Sequence, residues 1–63
     1  MTEYVHLVGG GPYDGRTIAP LYVPEVSVAM RDYVVVCQKR RFRYSYWRTN
    51  VLGTREFSLK GQE

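Results

Sequence analysis

The stretch Tyr33-Val34-Val35-Val36-Cys37-Gln38-Lys39-Arg40-Arg41-Phe42-Arg43-Tyr44-Ser45-Tyr46-Trp47-Arg48 decides how this chain folds. Its first half is a β-branched run, and its second half alternates aromatic with basic or polar residues. Both patterns fit strands and neither sustains a helical period. Tyr33 to Gln38 reads as one strand, apolar on both faces, so it is expected to be central or covered by a partner chain. Lys39-Arg40-Arg41 reads as the turn, and Phe42 to Arg48 as the next strand. Extended to Arg41, period two puts Arg41, Arg43, Ser45 and Trp47 on one face. Phe42, Tyr44, Tyr46 and Arg48 take the other.

The same window dominates the charge. It holds five of the chain's nine basic residues, Lys39, Arg40, Arg41, Arg43 and Arg48, and no acid. The remaining four basic residues face six acidic ones, so the formal net charge of +3 originates here. Concentrated cations interleaved with aromatics suit an anionic partner: a nucleic acid, a nucleotide or an acidic protein surface. Arg41, Arg43 and Trp47 would then form a platform, with Lys39, Arg40 and Arg48 beside it. The competing reading makes the tyrosines core residues and the cations a solvated hairpin tip that deters edge-to-edge aggregation.

Outward from this segment the chain remains β-like. Tyr4 to Val8 reads as a strand with Val5 and Leu7 on one face. Arg16 to Ala19 is a short second strand, Pro20 and Pro24 bracket a loop, and Val26 to Met30 alternate as a third. Asn50 and Gly53 are turn residues. Glu56 to Leu59 reads as a short edge strand, and residues 60–63 are expected to fray. The fold expectation is one all-β domain over residues 1–63, a small antiparallel sheet or SH3-like partial barrel of four or five strands. Sixty-three residues make a thin core, which argues for a homodimer or higher homo-oligomer.

Gly10-Gly11-Pro12-Tyr13-Asp14-Gly15-Arg16-Thr17 has P-loop spacing with Arg in place of Lys. A P-loop must open a helix, whereas Thr17-Ile18-Ala19-Pro20 is β-branched and stopped by proline. A structural turn built on Gly10, Gly11, Pro12, Asp14 and Gly15 explains the residues better. Together with Leu7-Val8 and Arg16-Thr17, this Gly-Gly-Pro-x-Asp-Gly pattern resembles short uncharacterised proteins of bacteriophages and prophages, particularly of actinobacteria. The resemblance covers about a quarter of the chain. It implies a phage origin and little else, and carries no activity with it; the expected location is the host cytoplasm, whose reducing conditions the cysteine usage fits.

One Cys and one His allow no intrachain disulfide, no usual zinc site and no nucleophile-base-orienter set. Cys37 is expected to be a buried small apolar residue, and His6 a structural strand residue. No apolar run has membrane-spanning length and no signal peptide is evident, so a soluble protein is expected. The favoured function is non-catalytic capture of an anionic partner without a cofactor, with inhibition of a host factor as one outcome. The alternatives are a phage structural or assembly protein with a tyrosine-rich interface, and a degenerate nucleotide hydrolase on the glycine loop.

Overall fold

The computed structural model describes residues 3–62. Its elements are β1 (Val5–Val8), β2 (Arg16–Ile18), a single 3-10 turn (Pro20–Tyr22), β3 (Val26–Ala29), β4 (Asp32–Cys37), β5 (Arg40–Thr49) and β6 (Arg55–Gln62). All six strands join one curled half-barrel sheet in the order β2-β1-β6-β5-β4-β3. The all-β expectation therefore holds. Its strand count and purely antiparallel pairing do not, because β1 lies parallel to β6.

The largest departure concerns the C-terminal segment. Arg55–Gln62 is a central eight-residue strand rather than a short edge, flanked by β1 and β5. Gly61 and Gln62 are paired in it, opposite Arg43 and Phe42, with Lys60 as an unpaired bulge residue within the strand, so this segment does not fray; Glu63 lies outside the described residues. Phe57 and Leu59 account for this, since both turn to the apolar face, where Phe57 is buried and Leu59 packs against the core. Along Arg55 to Ser58, pairing on both edges satisfies backbone groups that burial would otherwise leave unpaired.

The β4–β5 turn is also tighter than expected. Cys37 pairs with Arg40, leaving Gln38-Lys39 as a two-residue connection. Both adopt positive φ, 51° and 63°, as a type I′ hairpin turn requires. Arg40 and Arg41 therefore belong to β5.

Val5, Leu7, Val35, Tyr44 and Phe57 form the core on the concave face. Val34 is buried too, but it faces the other way, opposite Arg43 in the ladder. Val36 is exposed and Cys37 half-buried, so the valine run is covered on both faces only at its middle. β4 is flanked by β5 and β3.

The glycine segment folds over the end of this sheet. Gly9, Gly10, Gly11 and Gly15 all have positive φ. The Asp14 carboxylate accepts a hydrogen bond from the Gly10 amide at 3.1 Å, and the Gly15 amide donates to Leu7 O at 2.7 Å. The chain then enters β2, so no helix opens here to hold phosphate. Tyr44 fixes the segment from below by donating its hydroxyl to Gly10 O at 2.8 Å. A Cβ on Gly11 would lie 2.4 Å from that hydroxyl, whereas one on Gly15 meets nothing within 4 Å.

Two alanine substitutions therefore separate close approach from backbone strain. Gly15→Ala should cost about 1 kcal/mol through φ alone. Gly11→Ala adds displacement of a buried tyrosine and should cost roughly 2–4 kcal/mol. Urea unfolding gives both values, and equal losses would contradict the Tyr44 contact.

Candidate functional site

Strand β5 carries most of the basic window, and its neighbours decide what each side chain meets. The β4 register puts Phe42 and Tyr44 on the concave face with Val35 and Tyr33, and Arg41 and Arg43 on the convex face with Val36 and Val34. This matches simple alternation. It stops at Trp47, because Tyr46 pairs with Phe57 and Arg48 with Glu56. Trp47 is the extra residue of a β-bulge, which shifts the phase of everything after it.

Arg48 consequently stands on the convex face and not among the core aromatics. Its Nε donates to Glu56 at 2.7 Å, and its guanidinium lies 4.4 Å from the Trp47 ring centroid. Asn50 supplies a second donor to Glu56 at 3.2 Å. These hydrogen bonds, Arg48's first, hold the buried Glu56 carboxyl below its ordinary value, with His6 adding a favourable charge. His6 Nδ1 in turn meets the Thr17 hydroxyl at 2.9 Å.

Arg43 meets an acid as well. Its guanidinium donates to Asp32 at 2.9 Å across the β4–β5 pair, a diagonal within reach of a long side chain. That hydrogen bond holds the Asp32 carboxyl low against the opposing effect of burial, and Lys60 contributes a further favourable charge. The window has no acid of its own, but the fold brings Asp32 to Arg43 and Glu56 to Arg48.

The six expected binding residues thus divide between two places. Lys39, Arg40, Arg41 and Arg43 gather at the β4–β5 hairpin end, where the extra residue of β6, Lys60, joins them. Arg43, Lys60, Gly61 and Gln62 line a shallow cavity of about 330 Å³ there. Trp47 and Arg48 lie farther along β5. Arg43 and Trp47 are four strand positions apart, roughly 13 Å, and Trp47 sits in the bulge with the Arg48 guanidinium over its ring. Lys60 was hidden in sequence because residues 60–63 read as a tail; only the length of β6 brings it alongside β5.

A second feature lies on the concave face. Val28, Met30, Tyr33, Tyr46 and Phe57 line an apolar groove of about 410 Å³, with Arg31 and Arg55 at its rim. Tyr33 and Tyr46 both meet Phe57 edge-on, at centroid distances of 4.7 and 5.8 Å. Arg55 lies over the Phe57 ring and forms an ion pair with Glu3. Among the described residues, no group of three or more His, Cys, Asp or Glu side chains is placed to hold a metal ion, and no helix is long and apolar enough to cross a membrane.

Comparison with protein-family models, curated proteins and solved structures finds no match. The chemistry of the site therefore rests on its own geometry.

The paired carboxylates give the fold an acid limit. Both are held low, so their stabilisation is complete above the ordinary carboxylate range and is lost as pH falls through their folded values. Tyr44 is pushed the other way, chiefly by burial, so its share is complete below about pH 10 and is lost as pH rises through its higher folded value. Melting temperature followed from pH 2 to 11 should fall at both ends. Arg48→Gln should lower the melting temperature at neutral pH and make the acid fall shallower, and an unchanged acid limb would show that the Glu56 pairing contributes nothing.

Proposed function

We propose that this protein is a non-catalytic binder of polyanions, and that its contact surface is the hairpin end bearing Lys39, Arg40, Arg41, Arg43 and Lys60. One observation carries the reading: two strands and a tight turn bring five basic side chains to one end of the sheet, where Arg43 also pairs with Asp32. Such a concentration raises the local potential and steers an anionic partner toward it.

The arrangement favours backbone phosphate over base recognition. Trp47, the aromatic that would stack a base, lies in the bulge under Arg48 and away from the cation cluster. Phe42, the aromatic within the cluster, is half-buried and packs against the core. Arginine forks and a lysine on a flexible stem suit phosphate oxygens without reading sequence. A nucleic acid is thus the preferred partner, ahead of a free nucleotide or an acidic host protein. In a phage setting, which the Gly-Gly-Pro-x-Asp-Gly resemblance suggests, such a binder would act on host or phage nucleic acid inside the infected cell.

The turn supports a functional hairpin tip. Gln38 and Lys39 both occupy the left-handed region without glycine or asparagine, at about 1 kcal/mol each. The strain is offset elsewhere and keeps Lys39 exposed at the tip. A second reading, a structural or assembly role through a tyrosine-lined interface, is favoured by the aromatic groove on the opposite face.

Fluorescence anisotropy with a labelled oligonucleotide tests the first reading. Four or five phosphate contacts on duplex DNA give a log–log salt slope of roughly −4. Arg41→Glu and Lys60→Glu should each weaken binding about tenfold at low salt and flatten that slope, while Trp47→Phe leaves both unchanged. Salt-independent binding, or loss confined to Trp47→Phe, would reject it. Replacing Gln38-Lys39 by Asn-Gly should raise stability by about 1 kcal/mol and weaken binding through the lost Lys39 charge.

A further inference from the structure

The concave groove and the β5–β6 loop are two apolar features at the same end of the sheet, one hollow and one protruding. The loop spans Asn50-Val51-Leu52-Gly53-Thr54. Val51 and Leu52 project fully from it, at 101% and 86% exposure. Such a tip is normally polar.

It is also held rigid. Asn50 Oδ1 accepts the amides of both Leu52 and Thr54, at 2.9 and 3.1 Å. The Asn50 amide and carbonyl are bonded to Thr54 and Gly53, and its side-chain NH2 donates to Glu56. Two apolar side chains are thus presented on a preorganised support, which lowers the entropy lost on docking. The loop bears no charge.

The groove is of complementary character. Val28, Met30 and Tyr46 are each more than half exposed along it. The loop leaves β5 at Thr49, two ladder pairs beyond the Tyr46–Phe57 pair, and enters β6 at Arg55, which lines the groove. Knob and hollow are therefore neighbours, as a two-fold contact requires: one patch must offer both halves so that each copy's knob fills the other's hollow.

We propose that two copies of this chain associate through this patch, Val51 and Leu52 of each entering the Val28–Met30–Tyr46 groove of the other. Three observations converge on a second copy. The molecule carries both halves of the contact. It exposes 4558 Å², where a folded monomer of its mass is expected to expose about 4,200 Å². The five apolar side chains offer on the order of 700 Å² per copy, close to the ~800 Å² per partner of a stable interface. The basic hairpin lies at the other end of β5 and remains open, so this contact is independent of anion capture.

Sedimentation velocity and light scattering on the whole chain test the proposal. Wild type should run at twice the 7.3 kDa chain mass at micromolar concentration. Leu52→Asp and Met30→Asp, at positions exposed in the single chain, should retain the wild-type circular dichroism spectrum and raise the dimer dissociation constant at least about 100-fold. Leu21→Asp, equally exposed but outside the patch, should leave the mass unchanged. A 7.3 kDa wild-type species at every concentration would overturn the proposal and assign the groove to a different protein. A dimer that survives both Leu52→Asp and Met30→Asp would overturn it by locating the interface elsewhere.

Discussion

The hydroxyl of Tyr44 is the contact on which the rest of the structure depends. Its ring is wholly buried at the middle of β5, and burying a tyrosine without a partner for its oxygen carries a desolvation penalty. The hydroxyl donates to Gly10 O and accepts from the Tyr13 amide at 3.4 Å. One side chain therefore fills the core and ties the glycine segment across the sheet. That tie needs a backbone without side chains: Gly11 leaves no room for a Cβ against the hydroxyl, and Gly9 leaves none against Ser58 and the Leu59 amide. The chain leaving β1 is thereby folded back into β2, while β1 lies parallel to β6.

The convex face shows how a basic segment is reconciled with a compact fold. Arg43 and Arg48 each reach a carboxylate from another strand. Glu56, the more buried of the two, has a cation, an amide donor and a nearby imidazole around it. A charge at that depth persists only with such partners. At the hairpin end Lys39, Arg40 and Arg41 gather beside Arg43, and Lys60 joins them from β6. The bulge at Trp47 sets the Arg48–Glu56 pair apart from the basic hairpin end.

The concave face has the opposite character. Six strands curl into a half-barrel rather than a closed one, with β2 and β3 as edges. The core occupies the end under the glycine segment and thins toward Tyr46 and Val28, where the apolar groove begins. A chain of this length has too little apolar surface to fill both ends. That shortage makes the groove, and the apolar loop beside it, the natural place for further burial.

The sequence by itself determined the β class, because Val34-Val35 and the Phe42–Tyr46 alternation fit a pleated surface and no helical face. It determined the glycine turn, whose residues are those that accept positive φ, and it set the inward facing of Val5, Leu7, Phe42 and Tyr44 through period two. Only the tertiary structure decided the parallel β1–β6 pairing and the central place of β6, since strand order depends on contacts between residues about fifty positions apart. It alone shifted Arg48 to the convex face, because a bulge is a property of two strands and leaves no mark in one. It also brought Asp32 and Glu56 to Arg43 and Arg48 and added Lys60 to the basic end. Charge neutralisation acts through space, and a window of sequence counts only the charges along the chain.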